Sequence, residues 1–425
     1  MKFNRKALSS KKGVLLKNTV MLYILQFSTM LLGLIILPYE TRVLGPEYYD
    51  KLALATDIMV YFQLVIDFGF ILSATEEVSR NREDKQKLSR ILTSVTISKL
   101  VLTAGSMVVL VILCRNVSAW KGNETFFTLF LIATAINSLM PDYLYRGLEQ
   151  METITIRTVV IKTFFTVMIV VMLKAPEQYC IIPILNIIGY TAALLWVYWH
   201  LHRKLGIRFA RCSLKEIWGT LRRSSTFFYS RIATSLYTSS NTIILSLIPT
   251  GPAGVVSCYS LAQKLINTAK NGMSPIADSL YPYMTRNRDF KLIWKILKIF
   301  MPIICAGCAV VFIFARPLCE IVFGADFGDA ALVLRVMLPV VIVILPSYIL
   351  GFPTLSPMGL TKYANYSVVF GSALHVFNMV VLYFTGHMNM VTLGALVSIT
   401  ETAILLFRIV VIWRNRALLN TKQED

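Results

Sequence analysis

The sequence predicts an all-α integral membrane protein of about twelve transmembrane helices. Hydrophobic runs of spanning length fill the chain from Asn18 to Trp413, and the segments between them are short. Lysine and arginine crowd every second one of those segments. A bilayer core takes about 20 apolar residues of helix, and Lys/Arg collect on its cytoplasmic side. Composition is the third observation: 56% of the 425 residues are hydrophobic and 15% charged, against roughly 45–50% and 25% in soluble chains. Mean hydropathy is +0.64.

The expected spans are 18–38, 53–74, 91–113, 124–145, 155–173, 179–200, 224–248, 254–284, 293–315, 331–351, 365–385 and 390–412. The first is long and no small-residue cleavage site follows it, so it reads as a span and not as a removable signal. Basic residues cluster in the N-terminal tail (Lys2, Arg5, Lys6, Lys11, Lys12, Lys17), at 80–90, at 203–223, at 286–298 and in the C-terminal tail. The alternate loops carry scattered cations such as Arg42, Arg115, Lys174 and Arg316. Both termini are therefore expected on the cytoplasmic side. The net charge of +19 belongs to topology, and no nucleic-acid partner is expected.

The longest and most basic loop divides the spans into two sets of six. The expected organisation is a first half at 1–205, a basic connector at 206–223 and a second half at 224–425. Each half opens alike: a first span ends at a proline (Pro38, Pro249), and a Gly-Pro pair (Gly45-Pro46, Gly251-Pro252) precedes the next span. Two halves with an even number of spans keep one orientation, as in parallel repeats about an axis along the membrane normal.

Several chemistries are excluded. A P-loop needs Gly-Lys-Ser/Thr, and no glycine in this chain is followed by lysine. The four histidines (His200, His202, His375, His387) lack metal-binding spacing, so neither metal nor cofactor is expected. The seven cysteines lie mostly within or beside spans and form no disulfide framework, and Cys305 and Cys308 read as small packing residues. The outer loops are too short for a catalytic domain, which disfavours a glycan polymerase and any other enzyme. A transporter remains.

Polar residues inside the spans carry the rest. A charge at bilayer depth costs a few kcal/mol on insertion scales and faces a cavity or a partner. At 1.5 Å per residue, Lys99, Lys162 and Arg231 lie roughly 12 Å in from the cytoplasmic face, and Lys264 roughly 15 Å from the outer face. Glu401 is comparably deep, Asp67 lies in the inner half of the second span, and His375 lies mid-span. One reading has ion pairs such as Lys264–Glu401 and snorkelling of Lys99 and Lys162. The other has Lys264 facing a cavity and His375 and Glu401 taking part in proton coupling. The seventh span carries Ser230, Thr234, Ser235, Thr238, Ser239, Ser240, Asn241 and Thr242, which suits tight packing or a polar cavity wall. Buried cations outnumber buried anions, which suits an anionic headgroup. Lys264, Arg231, Arg146 and Lys99 are the expected substrate cations.

The local motifs resemble the Wzx-type oligosaccharide flippases, of the superfamily that also holds the multidrug and toxin extrusion transporters. Arg42-Val43-Leu44-Gly45-Pro46-Glu47 is similar to the loop after their first span, although Tyr48-Tyr49-Asp50 stands where that family continues Gly-Tyr-Gly. Asp67-Phe68-Gly69-Phe70 with Ser73-Ala74-Thr75, and Leu144-Tyr145-Arg146-Gly147-Leu148-Glu149, resemble the end of their second span and their fourth loop. Leu280-Tyr281-Pro282-Tyr283 and Val322-Phe323-Gly324 with Leu334-Arg335 resemble pieces of their second half. The resemblance implies two six-helix lobes around a central cavity. It implies flipping of undecaprenyl-pyrophosphate-linked sugar repeat units to the outer leaflet of a bacterial inner membrane, for O-antigen or a similar surface polysaccharide. Membrane lipids and the polysaccharide polymerase and chain-length machinery would be its partners. The alternative within the superfamily is a cation-coupled drug exporter, in whose site buried anions would dominate.

Overall fold

The computed structural model describes residues 11–117, 120–248 and 253–419; the side chains at 11–16, 229–231, 233–234, 236–238 and 419 are not described. The described residues are helical, with no strand among them. In chain order the helices are α1 (Lys11–Asp67), α2 (Phe70–Arg80), α3 (Lys85–Asn116), α4 (Glu124–Ser138), α5 (Asp142–Gly147), α6 (Met151–Met172) and α7 (Ile181–His200). They continue as α8 (Leu214–Ser246), α9 (Val255–Asn287), α10 (Phe290–Ile313), α11 (Ala315–Phe323), α12 (Ala330–Leu350), α13 (Phe352–Leu355), α14 (Thr361–Phe384) and α15 (Met390–Arg414).

Among the described residues, nine helical stretches are long and apolar enough to cross a bilayer. One of them, Lys17–Arg80, joins α1 and α2 and holds 64 residues. The 57 residues of α1 would rise roughly 85 Å if straight, nearly three times a hydrocarbon core of about 30 Å. The break falls at Gly45 (φ 65°, ψ 177°), a backbone that glycine adopts freely and other residues do not. The expected end of the first span at Pro38 is corrected accordingly: the helix runs through that proline and breaks at Gly45. The second Gly-Pro pair, Gly251-Pro252, and Pro249 lie outside the described residues. Helices α8 and α9, each of 33 residues, are long enough to span but are too polar to count among the nine.

Helix α8 starts at Leu214, not at the expected 224. A capping box explains this: the Ser213 amide donates to Glu216 Oε2 at 2.7 Å and the Glu216 amide to Ser213 Oγ at 3.3 Å, satisfying donors that the helix start leaves open. Asp84, Asp289 and Asn389 cap α3, α10 and α15 in the usual way, their side chains accepting first-turn amides.

The chain divides into two compact units, one of Met1–Leu44 with Ala55–Ile232, the other of Gly45–Leu54 with Ala233–Asp425. In the first, α4 packs on α7, α2 on α5 and α6 on α7. Its core gathers Phe70, Val78, Leu92, Tyr143, Tyr145 and Val197. In the second, α12 packs against α9, α10 and α15, and α14 against α15. Large apolar side chains stand outward on the long helices: Leu195 is 67% exposed and Phe384 81%. In water such a surface would associate; in a bilayer it is the face that meets lipid. All seven cysteines are free, Cys305 outward and Cys308 buried.

Close packing in the first unit depends on Gly147. A Cβ added there would lie 2.4 Å and 2.6 Å from Val78 side-chain atoms and 3.0 Å from the Thr75 carbonyl oxygen. Gly147→Ala should therefore force α5 off α2 and destabilise the protein by about 1–3 kcal/mol, read as a lower melting temperature in detergent. Unchanged melting would show that the two helices separate freely.

Candidate functional site

The polar side chains within the helices form separate clusters in each unit. In the first, α1 ends at Asp67, and the chain turns through Phe68 (φ 38°) and Gly69 (φ 78°) before α2. Lys99 of α3 is 5% exposed. Its Nζ donates to Asp67 Oδ1 at 3.0 Å and to the Ser138 carbonyl at the C-terminus of α4. A cation at a helix C-terminus also meets the negative end of the helix dipole. Lys99 thus does not snorkel to the interface; that reading of the sequence is corrected, because carboxylate and carbonyl satisfy it inside. Lys162, half-buried on α6, has no partner among the described residues.

Asp142 opens α5, and Arg157 of α6 grips it with two nitrogens at 2.7 and 3.1 Å. This fork-on-carboxylate geometry is strong and directional, and it occupies both charges. Arg146, four residues along from Asp142 in the chain, is different. It is half-buried, its Nε is fully covered, and among the described residues its guanidinium has no hydrogen-bond or ion-pair partner. A buried donor left open is costly, so an anion reaching Arg146 would relieve a cost as well as add an attraction.

In the second unit, Asp50 explains where the chain departs from the Gly-Tyr-Gly pattern. Its Oδ2 accepts the Gly254 amide at 2.8 Å, and its Oδ1 accepts the Ser257 amide at 2.6 Å and hydroxyl at 2.5 Å. These groups form the N-terminus of α9, whose own cap residue, Gly254, has no side chain to supply; Asp50 caps it from a distance in sequence. Asp50→Ala should cost about 1–2 kcal/mol, measured as earlier thermal unfolding, and Asp50→Asn should recover part of it. Beside this cap, Tyr49 is fully buried, and Lys264 Nζ donates to its hydroxyl at 2.7 Å and lies 5.1 Å from its ring centroid.

Glu401 on α15 pairs with Lys270 of α9 at 2.6 Å. The expected Lys264–Glu401 pair is therefore corrected. Lys264 and Lys270 are six residues apart on one helix and project from different faces at 3.6 residues per turn. Depth along the helix could not tell which of them reaches α15, and Lys270 was missed.

His375 is fully buried. Nδ1 lies 2.9 Å from Thr400 Oγ1 and Nε2 3.0 Å from Asn241 Oδ1, while Asn241 Nδ2 donates to the Tyr259 hydroxyl at 2.8 Å. Each ring nitrogen thus has a buried polar neighbour on another helix, Thr400 of α15 and Asn241 of α8. Asn241, read from the sequence as part of a polar helix, proves to be the centre of this cluster. Of the other hydroxylated positions, Ser230, Thr234 and Thr238 lie outside the described side chains, as does Arg231. Arg408, a buried cation that escaped the sequence reading, donates to Ser367 Oγ at 2.9 Å and to the carbonyl and hydroxyl of Ser347 at 2.5 and 3.0 Å. It ties α15 to α14 and α12. Among the described residues no three His, Cys, Asp or Glu side chains gather as metal ligands.

Apolar outward faces, spanning helices and charges held inside them define a multi-pass membrane protein. Its fold is that of the MOP-superfamily transporters. It superposes with TM-score 0.73 on the lipid II flippase MurJ in an inward closed conformation (11% identity, 94% of this chain and 87% of that one). It superposes with TM-score 0.69 on an inward-facing multidrug resistance MATE family transporter of the MOP superfamily (16% identity, 95% and 99%). The chain belongs to the polysaccharide biosynthesis protein family, whose model matches residues 15–288, so the resemblance read from the sequence is borne out. It is similar to a protein of Shigella dysenteriae named "Putative O-antigen transporter" (26% identity over 403 residues, 92% of this chain and 98% of that one). It is also similar to one of the same name in Escherichia coli K12 (25% over 354 residues, 81% and 84%). These relatives are named as transporters and a flippase and none as an enzyme, in agreement with a non-enzymatic role.

Proposed function

We propose that the protein translocates undecaprenyl-pyrophosphate-linked oligosaccharide repeat units, for O-antigen or a similar surface polysaccharide. The movement runs from the cytoplasmic to the outer leaflet of a bacterial inner membrane, by alternating access. The family and the names of the curated relatives support the class of cargo. The observation that carries the reading is Arg146, a half-buried guanidinium with no partner among the described residues. The carboxylates Asp67, Asp142 and Glu401 are each held by a cation of the protein, respectively Lys99, Arg157 and Lys270. That pairing leaves the Arg146 charge for an anionic cargo. Arg146 presents positive potential to the pyrophosphate, and Lys264 and Arg231 are further cations for the cargo, each in its own unit; Lys99 contributes less, because Asp67 already offsets it.

The test is a deletion strain. Intact lipid-linked repeat units should accumulate on the cytoplasmic side, and the gene restored in trans should clear them. A deletion that leaves these units fully exported, while drug efflux falls, would overturn the proposal in favour of a drug exporter.

Both termini and the loops near Arg82, Arg208 and Arg288 are placed on the cytoplasmic side by the positive-inside bias. Single cysteines there should resist impermeant reagents in intact cells and react after permeabilisation. External labelling at the Arg208 loop would reverse the assignment.

A further inference from the structure

A cleft of about 910 Å³ opens in the first unit where the end of α2, the start of α3, the connector after α7 and the first turns of α8 meet. Its walls carry five cations, Lys87, Arg90, Arg211, Lys215 and Arg223, against two carboxylates, Glu77 and Glu216. A basic cytoplasmic loop is expected from topology alone, and such charge needs no fixed arrangement. Here it has one. The connector is laid along a hydroxyl stripe of α3: the Arg208 amide donates to Ser89 Oγ at 3.1 Å and the Ala210 amide to Thr93 Oγ1 at 2.9 Å. Thr220 of α8 donates to Ser94 Oγ at 3.3 Å.

The two carboxylates are used to join the walls. Glu77 of α2 meets Arg223 of α8 at 3.0 Å, and Glu216 of α8 meets Arg90 of α3 at 3.7 Å. Glu216 also accepts the Ser213 amide, and the hydrogen bonds of that cap lower its pKa, so it stays ionised. Arg211 and Lys215 stand exposed on the cleft wall with no partner among the described residues. Cations held together in a concave surface repel one another, and an anion that enters removes that repulsion. The Cys212 thiol on the same wall is pushed up to about 11 by burial and by Glu216, so it is a protonated thiol near neutral pH and not a competing anion.

We propose that this cleft is a binding site for a phosphate or pyrophosphate group, with Arg211 and Lys215 as its principal ligands and Arg90, Lys87 and Arg223 around them. A multiply charged phosphate takes several charge-assisted hydrogen bonds at once, and Asn81 on the same wall, whose Nδ2 gives one hydrogen to the Glu77 carbonyl, has a second to donate. Such a group can arrive on a soluble or lipid-linked pyrophosphate, or as the headgroup of an anionic phospholipid. The site stands whether or not the chain moves an oligosaccharide.

The test uses the full chain in nanodiscs of phosphatidylcholine, titrated calorimetrically with inorganic pyrophosphate. A second arm exposes the detergent-solubilised protein to phosphatidylglycerol and counts retained lipid by native mass spectrometry. The variant is Arg211→Gln with Lys215→Gln, two exposed side chains whose loss breaks no contact of the fold. The control, Arg286→Gln with Lys291→Gln, removes the same charge from another basic loop. Pyrophosphate binding weakened about tenfold or more in the cleft variant alone supports the site with pyrophosphate as its ligand. Pyrophosphate failing to bind, with retained phosphatidylglycerol lost in the cleft variant alone, supports it with a lipid headgroup. Neither anion affected by the cleft variant, or both affected equally by the control, overturns it.

Discussion

Lys270→Met should produce a protein that melts far below the wild type in detergent, with destabilisation of about 3–5 kcal/mol. The Lys270 side chain is 14% exposed and that of Glu401 4%. Removing the lysine strands a carboxylate that neither water nor lipid can solvate. Methionine keeps the length and most of the volume of the stem, so the loss is one of charge compensation and not of packing. The double variant Lys270→Met, Glu401→Leu should recover most of the stability, because it removes both charges and their desolvation together. Melting of the single variant at the wild-type temperature would mean that Glu401 is protonated or otherwise satisfied, and that the pair is incidental.

Arg146→Ala should lower surface polysaccharide export by about tenfold to a hundredfold, the loss of one hydrogen-bonded charge contact worth about 1.5–3 kcal/mol. The amount of protein in the membrane should not change, since Arg146 holds no partner among the described residues. Arg157→Ala provides the contrast. It abandons Asp142, which Arg157 grips with two bonds, and should deplete the protein from the membrane before transport can be judged. Arg146→Lys should keep part of the activity, a point charge replacing a fork. Immunoblots of membranes beside the polysaccharide measurement separate the two behaviours. Full export in Arg146→Ala would remove Arg146 from the substrate path.

Helix starts were legible wherever the signal was local. Ser213-Leu214-Lys215-Glu216 is a capping box by its residues alone, and its geometry in the fold matches. Reading that box would have moved the start of α8 from 224 to Leu214. Asp50 was visible only as a departure from a family pattern. Its role requires Gly254 and Ser257, some two hundred positions later, and no spacing rule joins them. Arg146 was picked out by a motif; that it differs from Arg157 and Lys99 in lacking a carboxylate could be seen only with the neighbours in place.

The amino-acid order by itself determined that this chain is helical, that it lives in a bilayer and which family it belongs to. Those properties follow from runs of about 20 apolar residues and from charge between them, quantities summed over near neighbours in the chain. Only the tertiary structure decided which charge meets which. It put Glu401 on Lys270 rather than Lys264, held Lys99 against Asp67 and enclosed His375 between Asn241 and Thr400. An ion pair is chosen by the facing sides of two helices, and one residue along a helix turns a side chain by 100° while advancing it about 1.5 Å. Position along a helix is therefore readable from sequence, and partnership is not.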